Sequence, residues 1–441
     1  MEAVAWRPRV DPVEVSALML LGAVGAALIV GSVTAPRTAL LVVAAGCAAL
    51  VFLARTDLAI LLVVATAPLE GEFASGPAGI SVTKLAGGLC LASFAFTIAR
   101  QRGRLLVIER GQALVLGILG LALLSTLHAL DTGAALTTAT RYASFAAVYI
   151  IVTQFGHDRV LQRRIAWTLA ITCSIAAALG LHDYLVGKQT LATLPNANSN
   201  DFAFVLATSL PLMFVLLNSR FRLLVLAMIG LVSAATLLSL SRGALLGIGA
   251  GFLLFVLTDR RRVQLALTAG AIATIGTVLV IRSNPQQFHQ AVFLKRQVAQ
   301  QNVTTRFQAW GAAARLATDH PFLGVGPGNF QFYYNKLTGQ PVGALTLSVA
   351  HDALLDVGAE LGLIAMCLLA VYLLLAFIRL TSSLYEGYGD PAFVSALRVS
   401  LTIAFVSALF LSEQYFLPFW LIGGLASAIW VDGRNRAAAA E

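Results

Sequence analysis

Three arginines and a histidine stand where packing alone gives them no purpose. Arg141 lies about seven residues inside an apolar run that begins near residue 134, roughly 10 Å along a helix from its end. Arg242 sits in Leu240-Ser-Arg-Gly-Ala244, the turn between two apolar runs, and neither arginine has a carboxylate beside it in sequence. An arginine at the centre of a membrane span costs about 2.5 kcal/mol or more on insertion scales. Snorkelling to the interface suffices for Arg242 and is strained for Arg141. An anion would offset that cost, because the planar guanidinium binds phosphate oxygens through two parallel hydrogen bonds. Arg306 adds a third cation, with Trp310 four residues on, so one helix face can present a cation and an aromatic to the interface; the bland alternative is a solvated helix face. Three arginines on one side suggest a diphosphate held at the depth of the lipid headgroups.

The base is sought among six histidines. His351 ends a long polar stretch, opens an apolar helix and is followed by Asp352, so a neutral imidazole there can take a proton from a sugar hydroxyl. His320 precedes Pro321 at a helix end, where a structural role fits, and His128 and His182 sit at span ends, as interfacial residues do. Asp356 and Glu360 share a helix face, and Glu360 is expected to partner one of the arginines. Asn196, Asn198 and their polar neighbours up to Asp201 suit an N-cap at Ser199 or Asn200 and equally suit sugar binding. Glu70 and Glu72 are either site-lining or solvated loop carboxylates.

The elements that position these residues follow from composition. The 441 residues are 58% hydrophobic and 12% charged, half the charged share of a soluble domain, which is about 25%. Apolar runs of spanning length recur along the chain, so it reads as an all-α polytopic membrane protein. Spans are expected at about 15–34, 38–54, 57–68, 82–99, 112–130, 134–154, 163–181, 201–217, 221–240, 243–258, 263–281, 353–378, 393–411 and 416–431. That gives fourteen, or twelve if short runs are re-entrant. The first run is too long for a cleaved leader and reads as a span.

With a cytoplasmic N-terminus, inner loops carry nineteen Arg or Lys residues and the short outer loops and span ends carry five. This bias predicts that both termini are cytoplasmic. The net charge of +9 is then topology rather than a nucleic-acid surface. The chain divides into spans over 1–281, one long, partly helical extracytoplasmic loop over 282–350, with a helix expected at 303–318, and C-terminal spans over 351–441. The four cysteines fall within apolar runs and offer neither a disulfide framework nor a metal site.

Taken in order, several segments carry a resemblance. They are Pro195-Asn196, Ser241-Arg-Gly-Ala-Leu245, Arg306-Phe-Gln-Ala-Trp310, His320-Pro-Phe-Leu-Gly-Val-Gly-Pro-Gly-Asn-Phe330, His351-Asp-Ala-Leu-Leu355 and Glu360-Leu-Gly362. Over about residues 195–365 this set resembles the O-antigen ligase and polymerase family. The resemblance implies a GT-C-like, metal-independent glycosyltransferase without cofactor, in the bacterial inner membrane with its site facing the periplasm. It would take a glycan from undecaprenyl diphosphate and pass it to lipid A-core, as ligases do, or to a growing polysaccharide, as polymerases do. By motif, Arg242 and Arg306 would hold the diphosphate and His351 would act as base. Arg141 matches no motif and rests on its depth alone. The family often has Asn after this histidine, where this chain has Asp352. Two rivals remain. An anion transporter should place its polar site at mid-membrane on paired repeats, and a non-catalytic export partner has little use for membrane-embedded arginines.

Overall fold

A computed structural model describes residues 49–70, 82–100, 108–258, 260–339 and 349–440. The expected span at 15–34, most of that at 38–54, Glu72 and Cys47 lie outside the described residues. Every regular element among those described is helical. In chain order these are α1 (Thr56–Thr66), α2 (Val82–Arg100), α3 (Arg110–Ser125), α4 (Thr132–Phe155), α5 (Arg159–Leu185), α6 (Ser199–Val215), α7 (Arg222–Leu238) and α8 (Arg242–Thr258). Then follow α9 (Arg260–Ser283), α10 (Pro285–Asp319), α11 (Phe330–Thr338), α12 (Ala353–Leu361), α13 (Leu363–Tyr385), α14 (Pro391–Ala408) and α15 (Leu417–Ala440). Seven helices among the described residues are long and apolar enough to cross a membrane, and four apolar helices are shorter. The chain is a multi-pass, all-α membrane protein.

Short acidic or amide side chains start many of these helices by accepting their first free amides. Asp131 caps α4, Asp158 caps α5, Asn198 caps α6, Asp352 caps α12 and Asp390 caps α14. The α6 cap is thus Asn198, whose Oδ1 accepts the Asn200 amide at 2.9 Å, rather than Ser199 or Asn200. A large apolar core runs through the long helices. A second, smaller core joins Ala309, Ala313 and Leu316 of α10 to Phe330 and Tyr334 of α11 and Ala359 of α12.

Two expectations change. The helix expected at 303–318 begins at Pro285 and runs to Asp319, 35 residues or about 50 Å of helix. His289 and Lys295 therefore ride on it. The single span expected at 353–378 is broken at Gly362, which takes φ +90° and separates α12 from α13. The break is enforced locally: Leu363 N donates to Pro321 O at 2.8 Å, and a Cβ on Gly362 would meet the Phe322 carbonyl carbon at 2.6 Å. Two arginines counted as loop charges, Arg379 and Arg398, are buried in α13 and α14. Arg379 pairs with Glu109 at 2.5 Å and donates to Ser427 Oγ at 2.6 Å, tying the α3 start to α13 and α15.

Candidate functional site

The segment 320–330 is a backbone scaffold set by its glycines. Gly324, Gly326 and Gly328 all have positive φ, of +62°, +105° and +70°, a region where L-residues are strained. A Cβ on Gly324 would lie 2.3 Å from the Glu360 carbonyl carbon. That closeness lets Val325 N and Gly326 N donate to the carbonyls of Ala359 and Glu360 at 2.9 and 3.0 Å. The far side is held too. Asp131 N donates to Asn329 Oδ1 at 2.8 Å, Asn329 Nδ2 donates back to Asp131 O at 3.1 Å, and His128 Nε2 donates to Gly324 O at 3.0 Å.

Glu360 is buried here and partners no arginine. Its carboxylate accepts from Gly328 N at 2.8 Å, Phe330 N at 3.3 Å and the Tyr415 hydroxyl at 2.6 Å. These neutral donors fold the glycine segment around α12, so the pairing expected from sequence is replaced by a structural role. Asp356, one turn earlier, accepts from Ala350 N at 2.9 Å and Gln414 Nε2 at 2.7 Å.

These bonds fix the approach to His351, which has φ +58°. Among the described residues only one other non-glycine residue has a positive φ: Leu240, at +52°, two residues before Arg242. Each such residue costs about 1–3 kcal/mol and persists only where its surroundings over-determine it. Asp352 spends Oδ1 on the Leu354 and Leu355 amides, at 3.0 and 2.9 Å, so it caps α12. Burial raises its carboxyl above the usual range, against those two bonds.

Three cations form a group that reaches this strained histidine through Arg306. Arg242 is the first residue of α8. Arg306 lies on α10, its ionisation pushed down by burial and then by the Arg242 charge. Lys295, from the polar first half of α10, joins them. Burial first, then the charges of Arg242 and Arg306, push its ammonium down to about 8, and its Nζ donates to Ser199 Oγ at 3.1 Å. Lys295 and Arg306 are eleven residues apart, three turns of α10 plus 20°, so both occupy one face. The spacing is a usable signal only once the helix is known to start near residue 285. His351 feels the same field: burial, then the Arg306 charge, push its imidazole down to about 4, leaving it neutral at physiological pH.

Among the described residues, buried donors at this site lack partners: Arg306 Nε and, four residues on, Trp310 Nε1, with Ser241 Oγ beside Arg242. Unsatisfied buried donors are costly, and an acceptor-rich ligand satisfies them. Trp310 meets Phe307 edge-on, with centroids 5.4 Å apart.

Arg141 is exposed on α4. Its charge acts on Asp201, in the first turn of α6, which also feels Glu70. Asp201 is thus a neighbour that the sequence reading treated only as part of a polar run. Asn196 is exposed in the turn before α6, and Asn198 is occupied as its cap. His320 ends α10, its exposed ring 6.1 Å from that of Tyr333. His182 is exposed and contacts Asp183 at 3.2 Å.

The arrangement is three cations beside a neutral imidazole, on a scaffold of glycines and two buried acidic side chains, and its charge suits an anion. No curated protein matches the chain. Residues 226–370 match the family model described as O-antigen ligase, a stretch that includes Arg242, Lys295, Arg306, His351 and Glu360 but leaves out Arg141 and Asn196. Over those 145 of its 441 residues the chain is similar to the O-antigen ligase family.

Proposed function

We propose that the protein is a glycosyltransferase that moves a glycan from undecaprenyl diphosphate to a hydroxyl of lipid A-core, at the periplasmic face of the inner membrane. The carrying observation is that Arg242, Lys295 and Arg306 feel one another's charge and that Arg306 in turn acts on the neutral, left-handed His351. In the step proposed, the His351 imidazole takes the proton of the acceptor hydroxyl as its oxygen bonds to the anomeric carbon. The bond from that carbon to the carrier phosphate oxygen breaks, and the electron pair leaves with the lipid diphosphate. The three cations stabilise the growing charge. Arg141, whose charge acts on Asp201, serves carrier or acceptor placement rather than the leaving charge.

The reading also sets orientation: residues 282–350 face the periplasm and both termini the cytoplasm. Positive charge at the diphosphate comes from side chains, so the reaction needs no metal ion. The deciding experiment supplies purified protein with lipid-linked glycan, with and without lipid A-core. One glycan attached per core supports the ligase. A ladder of lengths without core assigns a polymerase, and no transfer in either arm rejects the glycosyltransferase.

A further inference from the structure

The opposite end of the bundle carries a second set of cations. About 24 Å along α6 from Ser199, a cavity of about 760 Å³ opens between α5, the C-terminal end of α6 and the start of α14. Arg159, Arg163, Arg164 and Trp167 of α5 line it, over an apolar floor that includes Ile171 and Leu216.

The three arginines fall in the first two turns of α5, at the positive end of its dipole, where cations are disfavoured. Two are held by the protein: Arg164 Nη1 contacts Asp57 Oδ2 at 3.1 Å, and Arg159 Nη2 donates to Gly389 O at 3.4 Å. Among the described residues Arg163 has no hydrogen-bond or ion-pair partner, and it is exposed in the cavity wall. The one acid lining the cavity, Asp390, spends Oδ1 on the Ala392 and Phe393 amides that it caps. Trp167 is braced edge-on by Phe221 at 6.1 Å, and the Arg220 guanidinium lies 4.6 Å over the Phe221 ring.

Arginines that only set topology need no walled cavity and no apolar floor. We propose that this cavity binds the headgroup of an anionic phospholipid in the leaflet opposite the His351 site. The phosphate sits on Arg163 and its two fixed neighbours, Trp167 lies at the interface, and an acyl chain covers Ile171 and Leu216. Basic pockets between membrane helices take such headgroups. Free phosphate would meet the same cations but leave the apolar floor wet, so the lining favours the lipid. The site stands independently of the glycan chemistry.

The test titrates dioleoyl phosphatidylglycerol, dioleoyl phosphatidylcholine or inorganic phosphate into the intact protein in neutral detergent and follows thermal unfolding. Phosphatidylglycerol should raise the Tm saturably, and the other two should not. Each arginine near an anionic headgroup is worth about a fivefold factor in affinity. The double variant Arg159→Gln/Arg163→Gln should therefore shift the titration midpoint on the order of twenty-fivefold. If that variant does not fold, Arg163→Gln alone, which breaks no internal contact, should shift it about fivefold. Equal stabilisation by both lipids, reproduction of the shift by phosphate alone, or wild-type titration of the folded variant would overturn the proposal.

Discussion

Asp356 accepts the amide of Ala350 at 2.9 Å, and the next residue is the left-handed His351. A buried carboxylate thereby holds the strained backbone that aims the imidazole, although it lies five residues further along the chain. Asp356→Asn replaces one acceptor oxygen with a donor that faces either the Ala350 amide or Gln414 Nε2. It should lower kcat by about 10–100-fold while carrier affinity stays within about twofold, since a modest misplacement of a reacting group costs on that order. Steady-state kinetics with a direct carrier-binding assay distinguish this from a general loss of structure, which would degrade both.

Capture and chemistry should separate by residue. Arg242→Ala, Lys295→Ala and Arg306→Ala are each expected to weaken carrier binding and to cost roughly 10²–10³ in turnover. His351→Ala should bind carrier as wild type and fail in single-turnover transfer. Arg306→Lys should rescue only partly, because an ammonium cannot make the two-pronged contact. Near wild-type transfer by His351→Ala would reduce that histidine to a helix-entry residue and send the search for the base to His320 or His182.

The two shifted groups give a pH window with a definite sign. Lys295 is charged below about 8 and loses its proton above it, while His351 is neutral above about 4. Carrier affinity should therefore fall as pH rises through 8, and binding near that pH should take up a proton, since the bound diphosphate favours the ammonium. Lys295→Arg keeps its charge throughout and should flatten the fall. On the acid side, the His351 limb of kcat/KM should lie below pH 5. Arg306→Gln should move it upward, because it removes one of the two causes of the depression. An affinity profile unchanged in Lys295→Arg would remove Lys295 from the site.

The glycine scaffold makes a stability prediction. Gly324→Ala puts a methyl 2.3–2.5 Å from the Glu360–Leu361 backbone at φ +62°, and should cost more than about 3 kcal/mol. Gly339→Ala is the control: it shares a positive φ, +68°, but has nothing within 4 Å of the added carbon. It should lose only about 1 kcal/mol. Thermal unfolding in detergent compares them, and equal losses would mean that close packing at residue 324 contributes nothing.

Topology is open to a direct probe. In a cysteine-free background, Gln300→Cys should react with an impermeant maleimide in intact cells once any outer membrane is permeabilised. Labelling only after lysis would put α10 and the candidate site on the cytoplasmic side.

The sequence made some of this plain because hydropathy speaks loudly about apolar helices. Arg242, Arg306 and His351 were legible as polar residues pinned to the ends of apolar or motif-bearing segments, and the structure brings them together. Lys295 was not legible, because it sits in a polar, glutamine-rich segment that gives no apolar signal and that folds as the first half of α10. Glu360 reads from sequence as an arginine partner because two of its three partners, the amides of Gly328 and Phe330, lie some thirty residues upstream with no side-chain identity to read, and the third, the Tyr415 hydroxyl, comes from another helix turn 55 residues downstream. The break at Gly362 was missed for a related reason: residues on both sides of it are apolar, and only the contact with Pro321 turns the chain there.

The shared face of Lys295 and Arg306 makes length, more than composition, the constrained property of the ten residues between them. Deleting one residue there would turn Lys295 by 100° relative to Arg306 and carry it off the site, whereas losing four would turn it by only about 40°. An insertion and deletion scan through this stretch should thus show a helical rhythm, with tolerance returning each time the phase of the two cations is restored.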